Sequence, residues 1–380
     1  MPHIKPDIES VARIKVVGVG GSGKNAVNHM VRSKVRGVEF IAINTDAQDL
    51  HQSLAHKKIR IGRGLTKGLG TGMNPDIGRQ AAEETKDEIN EALKGADMIF
   101  VTCGMGGGTG SGAAPVVSQI AKSLGALTIG VITRPFSFEG LERARIAEAG
   151  IVRFREAVDA MIAIPNDKLL SVIQKDTSLL SAFSMCDEVL RHAVEGISDL
   201  ITVPGIINVD FADVRAVMQN TGSALMGIGF GRGESRAEDA ARAAINSPLL
   251  DLSVNGARGV LFTVAGGTDM TMWEVQEAAK VITASIDPDA KVIFGATHDD
   301  RVRKGDLKIT VIASGFPDGA SMKSATLFGP LVKRQASPQN TGANNGKGND
   351  GEKQTDSGAP PSSEDEWDTI PAFMRRTKRS

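Results

Sequence analysis

The sequence predicts an α/β fold: a Rossmann-like, doubly wound parallel sheet, a long central helix, and a second domain of α+β type. A disordered linker and a tail peptide are expected after them. Three observations carry this. Short apolar strands alternate with helical segments from residue 13 to residue 165, the pattern of strands joined by helical crossovers. Glycine-rich loops follow the strands, so a parallel sheet would gather them at its carboxyl edge. Between Gln335 and Glu366 there is no Val, Ile, Leu, Met, Phe or Trp, so that stretch has nothing to bury.

Arg13-Ile14-Lys15-Val16-Val17 reads as the first strand. It runs into Gly18-Val19-Gly20-Gly21-Ser22-Gly23-Lys24-Asn25, with a helix expected over 26–33. Gly18, Gly20 and Gly23 match the dinucleotide-binding spacing G-x-G-x-x-G. Gly18, Gly23 and Lys24 match a Walker A loop except at its last place, where Asn25 replaces the hydroxyl that ligates Mg²⁺. Each motif is weak alone; both describe a glycine loop opening a helix aimed at phosphate. The strand 38–44 ends in Asn44-Thr45-Asp46, where Asp46 is a candidate ribose acid lying a little late for that role. A third glycine loop over 62–74 precedes a helix expected over 75–94.

The chain is organised around Gly104-Met105-Gly106-Gly107-Gly108-Thr109-Gly110-Ser111-Gly112. A strand at 98–102 leads in, and an apolar helix is expected from 113 to about 124, with Pro115 near its start. Six glycines in nine residues exclude a strand or a helix interior. Such a loop aims backbone N–H groups and the positive end of a helix dipole at one spot, which suits a di- or triphosphate. A strand at 127–133, a helix over 141–157 and a strand at 160–165 follow within a first domain spanning 13–176.

The segment 177–203 reads as a helix of roughly 35 Å. Its apolar positions, among them Phe183, Leu190, Val194 and Ile197, spread beyond one stripe, so it packs on several sides. After it comes Asn208-Val209-Asp210-Phe211-Ala212-Asp213-Val214, with Asp213 as candidate N-cap of a helix over 214–219. Helices near 236–247 and 271–285 and strands near 259–265, 291–296 and 307–313 make the α+β domain, 204–316. The linker spans 317–366. At 367–380 order-promoting residues return in Trp367-Asp368-Thr369-Ile370-Pro371-Ala372-Phe373-Met374-Arg375-Arg376, a docking peptide on a tether.

Bulk properties narrow the function classes. The 380 residues are 41% hydrophobic, enough for two domains. A net charge of −1 provides no field toward nucleic acid or anionic membrane, and no nucleic-acid partner is expected. The aromatic content of 4%, with no tyrosine, argues against base-stacking platforms. Two cysteines, Cys103 and Cys186, exclude a disulfide framework and fit a reducing cytoplasm. Residues 1–12 read as a flexible, polar start without the apolar core of a signal peptide. No apolar run approaches the ~18 residues of a bilayer span, so no transmembrane anchor is expected. Cys103, directly before Gly104, is expected to be a small core residue and not a redox switch.

These motifs resemble the tubulin/FtsZ family. Residues 104–112 resemble its signature loop, GGGTG(S/T)G; residues 208–214 look like the synergy loop of its FtsZ branch. Ile370-Pro371-Ala372-Phe373-Met374-Arg375-Arg376 is similar to the C-terminal peptide of the bacterial division members. The resemblance implies a GTPase activated by polymerisation, forming head-to-tail protofilaments of the division ring at midcell, beneath the inner face of the membrane. It implies GTP or GDP with Mg²⁺, and docking of membrane-tethering and regulatory division proteins on residues 370–376.

Carried over position by position, the resemblance places nucleotide contacts on Gly21, Ser22, Gly23, Lys24, Asn25, Gly108, Thr109 and Gly110. Glu139 and Arg143 would hold the ribose side, with Thr133 and Asn166 nearby. Asp187 would read guanine, with Phe183 against the base, and residues 70–74 would face the γ-phosphate. A carboxylate accepts from both the N1–H and the exocyclic amine of guanine, whereas adenine has no such donor pair. Asp210 and Asp213 of one subunit would be catalytic in the site of the next, positioning the attacking water and helping to hold the cation. Lys24 and Met73 depart from the family's usual residues, and a solvated lysine at a helix start is favoured over a phosphate contact. An oxidoreductase would leave residues 104–112 unexplained, and a P-loop ATPase would lack its hydroxyl.

Overall fold

Near-continuous apolar runs set the architecture. Ile14–Val19 (β1), Val38–Asn44 (β2), Met98–Gly104 (β4), Leu127–Arg134 (β5) and Ala160–Pro165 (β6) are buried along most of their length, as strands covered on both faces must be. The computed structural model describes residues 12–170, 177–203, 205–247, 254, 256–299 and 301–316. These belong to one unit, Met1–Phe328. The expected linker and docking peptide lie outside the described residues, as do residues 1–11.

With Lys57–Arg60 as β3, the first half of the sheet runs β3-β2-β1-β4-β5-β6 with every pairing parallel. β3 escapes a sequence reading because only Ile59 is buried. Its charges suit an edge strand, where they discourage pairing with other chains. Each face of the sheet carries its own core. Val16, Phe100 and Ile129 pack with Val27 and Met30 of the helix Gly20–Arg32 and with Leu190, Val194 and Ile197 of the helix Leu179–Thr202. Val17, Val101 and Ile132 pack with Ala113 and Val117 of the helix Gly108–Ser123, and with Ile151 and Phe154 of the helix Leu141–Ala157.

The second half continues the same sheet. Gly222–Arg232 (β7) pairs in parallel with β6 over three residues, 160–162 against 222–224. Then come Asp306–Ser314 (β10), Gly259–Gly266 (β8) and Lys291–His298 (β9), antiparallel, antiparallel and parallel in turn. The α+β reading of this half holds. In β7 every second residue from 227 to 231 is glycine because the helix Arg236–Ile245 lies directly on it. A Cβ at Gly227, Gly229 or Gly231 would sit 1.9 Å from a helix carbonyl oxygen. The central helix is fastened to β10 and its neighbouring loop by buried Glu195. That carboxylate accepts from Arg301 Nη1 at 2.5 Å, contacts Arg191, and lies 3.8 Å from Lys308 Nζ.

Four expectations are corrected. The helix expected from residue 113 begins at Gly108, so three of the six glycines are helical and Pro115 lies in the helix interior. Tight packing outweighs the entropy of those glycines: a Cβ at Gly112 would sit 1.9 Å from the carbonyl of Pro75, and one at Gly108 2.1 Å from Thr71 Oγ1. The helix expected from residue 26 begins at Gly20 in the same way. The helix over 75–94 is two helices, Pro75–Glu84 and Lys86–Leu93, parted at Thr85. Asp210, not Asp213, caps the helix Phe211–Met218, accepting from the backbone N–H of Ala212 at 2.9 Å.

Candidate functional site

The strand order places β1 between β2 and β4, so crossovers leave it in opposite directions and a crevice opens at the carboxyl ends. That crevice is a cleft of about 440 Å³. Gly20, Gly21, Ser22 and Asn25 form one wall, and Gly107, Gly108, Thr109 and Gly110 a second. Thr71, Gly72 and Met73 close one end; Glu139, Arg143, Asn166, Phe183 and Asp187 line the other.

The walls fit an anion. The helices Gly20–Arg32 and Gly108–Ser123 both begin at the cleft, without a capping side chain and without an acidic residue in the first turn. Their leading N–H groups and positive dipole ends are therefore left for a ligand. Gly20 turns the chain at φ +75°, a left-handed conformation that disfavours a side chain, and its Cα hydrogens face the backbone N of Gly110. Thr45, buried at the end of β2, meets the Thr109 hydroxyl at 3.0 Å, and Thr71 reaches the same oxygen at 3.4 Å. Three loops are thereby joined by hydroxyls around one wall. Met73 holds φ +64°, strained for a side chain, at the end where the third loop meets the cleft.

The far end sets an aromatic face beside a buried carboxyl. Phe183 meets Phe136 edge to face at 5.5 Å, which fixes an aromatic surface beside Asp187. Burial pushes the Asp187 carboxyl up to about 6, and the charge of His29 opposes that rise. Glu139 accepts from Arg143 at 2.7 Å and from the backbone N–H of Phe136 at 3.0 Å. Buried Asn166 has a side-chain oxygen with no hydrogen-bond partner among the described residues. A ligand hydroxyl at this wall would satisfy it.

Of the residues singled out from sequence, Gly21, Ser22, Asn25, Gly108, Thr109, Gly110, Glu139, Arg143 and Asp187 line the cleft, as do Thr133, Asn166 and Phe183. Gly23 and Lys24 do not. Gly23 is buried against the backbone of Thr102 and Gly18. Lys24 is not solvated: it is 5% exposed and its ammonium lies 2.5 Å from Asp49 Oδ1. Asp46 caps the helix Ala47–His51 by accepting from Asp49 N, so it is a turn residue here. Asp210 and Asp213 are exposed and lie at the other edge of the sheet. Their helix is tied there by Arg215, which donates to the carbonyls of Asp97 and Gly125, just before β4 and β5. Thr71, Gly72 and Met73 of the predicted 70–74 stretch line the cleft. Sequence reasoning gave Thr45 no role; the signal available was a threonine directly after β2, in a loop that meets Thr109. Among the described residues no three His, Cys, Asp or Glu side chains gather to cage a metal.

Residues 13–174 match the Tubulin/FtsZ family, GTPase domain, and residues 222–317 match the FtsZ family, C-terminal domain. A solved structure of an FtsZ dimer from M. jannaschii is 45% identical, with 81% of this chain and 89% of that one covered at a TM-score of 0.78. This chain belongs to the FtsZ family. A point mutant of the M. jannaschii FtsZ is 46% identical, covering 80% of this chain and 91% of its own at a TM-score of 0.77. CetZ2 from Haloferax volcanii, solved as a GTPγS-bound protofilament, is 21% identical over 82% and 96% of the two chains and shares the fold at a TM-score of 0.69. As a member of the FtsZ family with the GTPase domain of that family, the chain is a GTPase and binds guanine nucleotide. No helix among the described residues is long and apolar enough to cross a membrane.

Proposed function

We propose that the cleft holds GTP and that copies stack head to tail, so that Asp210 and Asp213 of one copy complete the cleft of the next. The observation that carries this is the placement of the two halves of the chemistry. The phosphate cradle sits at the carboxyl edge of the sheet and the two exposed aspartates at the amino edge. The seven residues of β4 alone separate those edges by about 20 Å, so one copy cannot bring them together. Phosphoryl transfer needs positioning and charge neutralisation, and an aspartate can orient the attacking water. That the 45% identical M. jannaschii FtsZ was solved as a dimer supports self-association.

Within the cleft, the helix N-termini and the Thr109 wall take the phosphates. Asn166, Glu139 and Arg143 take the ribose, and Asp187 accepts from guanine beside Phe183. The donor set fits Mg²⁺ shared with phosphate oxygens, threonine hydroxyls and water, not a protein cage. Bound so, the ion would offset phosphate charge. The wider reading is a cytoplasmic filament of the bacterial division ring at midcell. Its nucleotide domain would span 13–176, its central helix 177–203 and its second domain 204–316, with residues 370–376 docking membrane-tethering and regulatory partners. GTP turnover per subunit, measured as protein concentration is raised, tests the shared site: a cooperative rise is expected, and a flat turnover number would contradict it.

A further inference from the structure

Lys24 is the residue that the phosphate cradle leaves over. It lies within the first turns of the helix that opens at the cleft, where a Walker A lysine would reach for phosphate, yet it points away. Its ammonium is buried against Asp49 Oδ1 at 2.5 Å. The other oxygen, Asp49 Oδ2, accepts from Asn44 Nδ2 at 2.7 Å, and a Cβ built on Gly21 would lie 3.7 Å from it. Gly21 is itself a wall of the cleft. A carboxylate therefore stands directly behind the phosphate cradle, on the segment that follows β2. Uncompensated, it would repel a polyphosphate, and the repulsion would grow with each phosphate charge.

We propose that Lys24 is a positioning and charge-compensating residue for the nucleotide. It neutralises Asp49 behind the cradle, so that the carboxylate adds no net repulsion to the phosphate site. Lys24 touches no phosphate. This rests on the reading of the cleft as the GTP site, and it adds a residue outside the cleft that tunes how much charge the cleft accepts.

The test compares Lys24→Met, Asp49→Asn and the double variant, as nucleotide-free full-length chain kept dilute. Titration calorimetry measures GDP and a non-hydrolysable GTP analogue, and thermal melting reports folding. Lys24→Met should weaken the GTP analogue by about tenfold or more and GDP by less, since GTP carries more charge. The double variant removes both charges and should recover most of the loss. Asp49→Asn alone leaves a cation near the phosphates and should bind the GTP analogue at least as tightly as the unmodified chain. Equal loss in Lys24→Met and in the double variant would mean that Lys24 contacts phosphate directly, and would overturn the proposal. Weaker binding by a folded Asp49→Asn would also overturn it, even if Lys24→Met failed to fold. If the unmodified chain bound no GTP, the reading of the cleft would fall along with the pair.

Discussion

If Asp187 accepts from guanine as proposed, one carboxyl couples binding to pH. Its folded value of about 6 stands above the model-compound value of 3.8 because burial penalises the charge. Only the ionised form accepts both donors of guanine, so GTP affinity should fall as pH drops through 6, approaching tenfold per unit. Binding measured from pH 5 to 8 checks this, with Asp187→Asn expected to be weaker and nearly flat; an equally steep profile in the variant would assign the titration elsewhere. The stability of the empty protein runs the opposite way. The protonated carboxyl favours the folded state fully below 3.8, and that contribution is lost as pH rises through about 6. Directly before the glycine loop, Cys103 is buried in the core near the end of β4, and burial pushes its thiol up to about 12. A neutral, inaccessible thiol is a poor nucleophile. Labelling of Cys103 by iodoacetamide in the nucleotide-bound protein should therefore take hours; rapid labelling that competes with nucleotide would make the signature loop redox-sensitive instead.

At the scale of elements, the cleft owes its shape to how closely the helices Pro75–Glu84 and Gly108–Ser123 approach. The contact runs through glycines: Gly112 against Pro75, Gly108 against Asn74 and Thr71, and Gly78 against Gly108. Adding one methyl at Gly112 forces the pair apart, because the opposing atom is backbone and cannot rotate away. Gly112→Ala should cost on the order of 2 kcal/mol despite alanine's higher helix propensity. Urea unfolding measures it, and a stabilised variant would mean that propensity, not packing, governs this helix. The same close approach holds the third loop over the cleft, so nucleotide affinity should fall in step with stability.

At the scale of the whole molecule, the sheet is a spacer between a cradle and two aspartates. Asp213→Ala should bind GTP nearly as the unmodified chain does, since it lies at the edge away from the cleft. It should lose most hydrolysis, and mixed with unmodified chain it should depress turnover beyond dilution, because in the proposed shared site each altered copy would spoil its neighbour's. Loss of GTP binding by the isolated variant would show a structural residue and defeat the shared-site reading.

Most of the order of elements was legible in the residues alone, since buried parallel strands leave apolar runs and sharp glycine punctuation; the charged edge strand β3, with one buried side chain, was not. The glycine walls of the cleft were legible too, because phosphate recognition by backbone N–H groups forces glycine into the sequence itself; Asn25, Glu139, Arg143 and Asp187 were reached only through the family resemblance, and they line the same cleft. Helix starts were misplaced by several residues at Gly20 and Gly108. Glycine has two uses, freedom in a loop and close approach in a helix, and composition does not separate them. Only tertiary packing decided between these, by putting Pro75 against Gly112. It also decided Lys24. A lysine beside a glycine loop reads the same whether it reaches phosphate, solvent or a carboxylate 25 residues on, and the pairing with Asp49 exists only once β1 and β2 lie side by side.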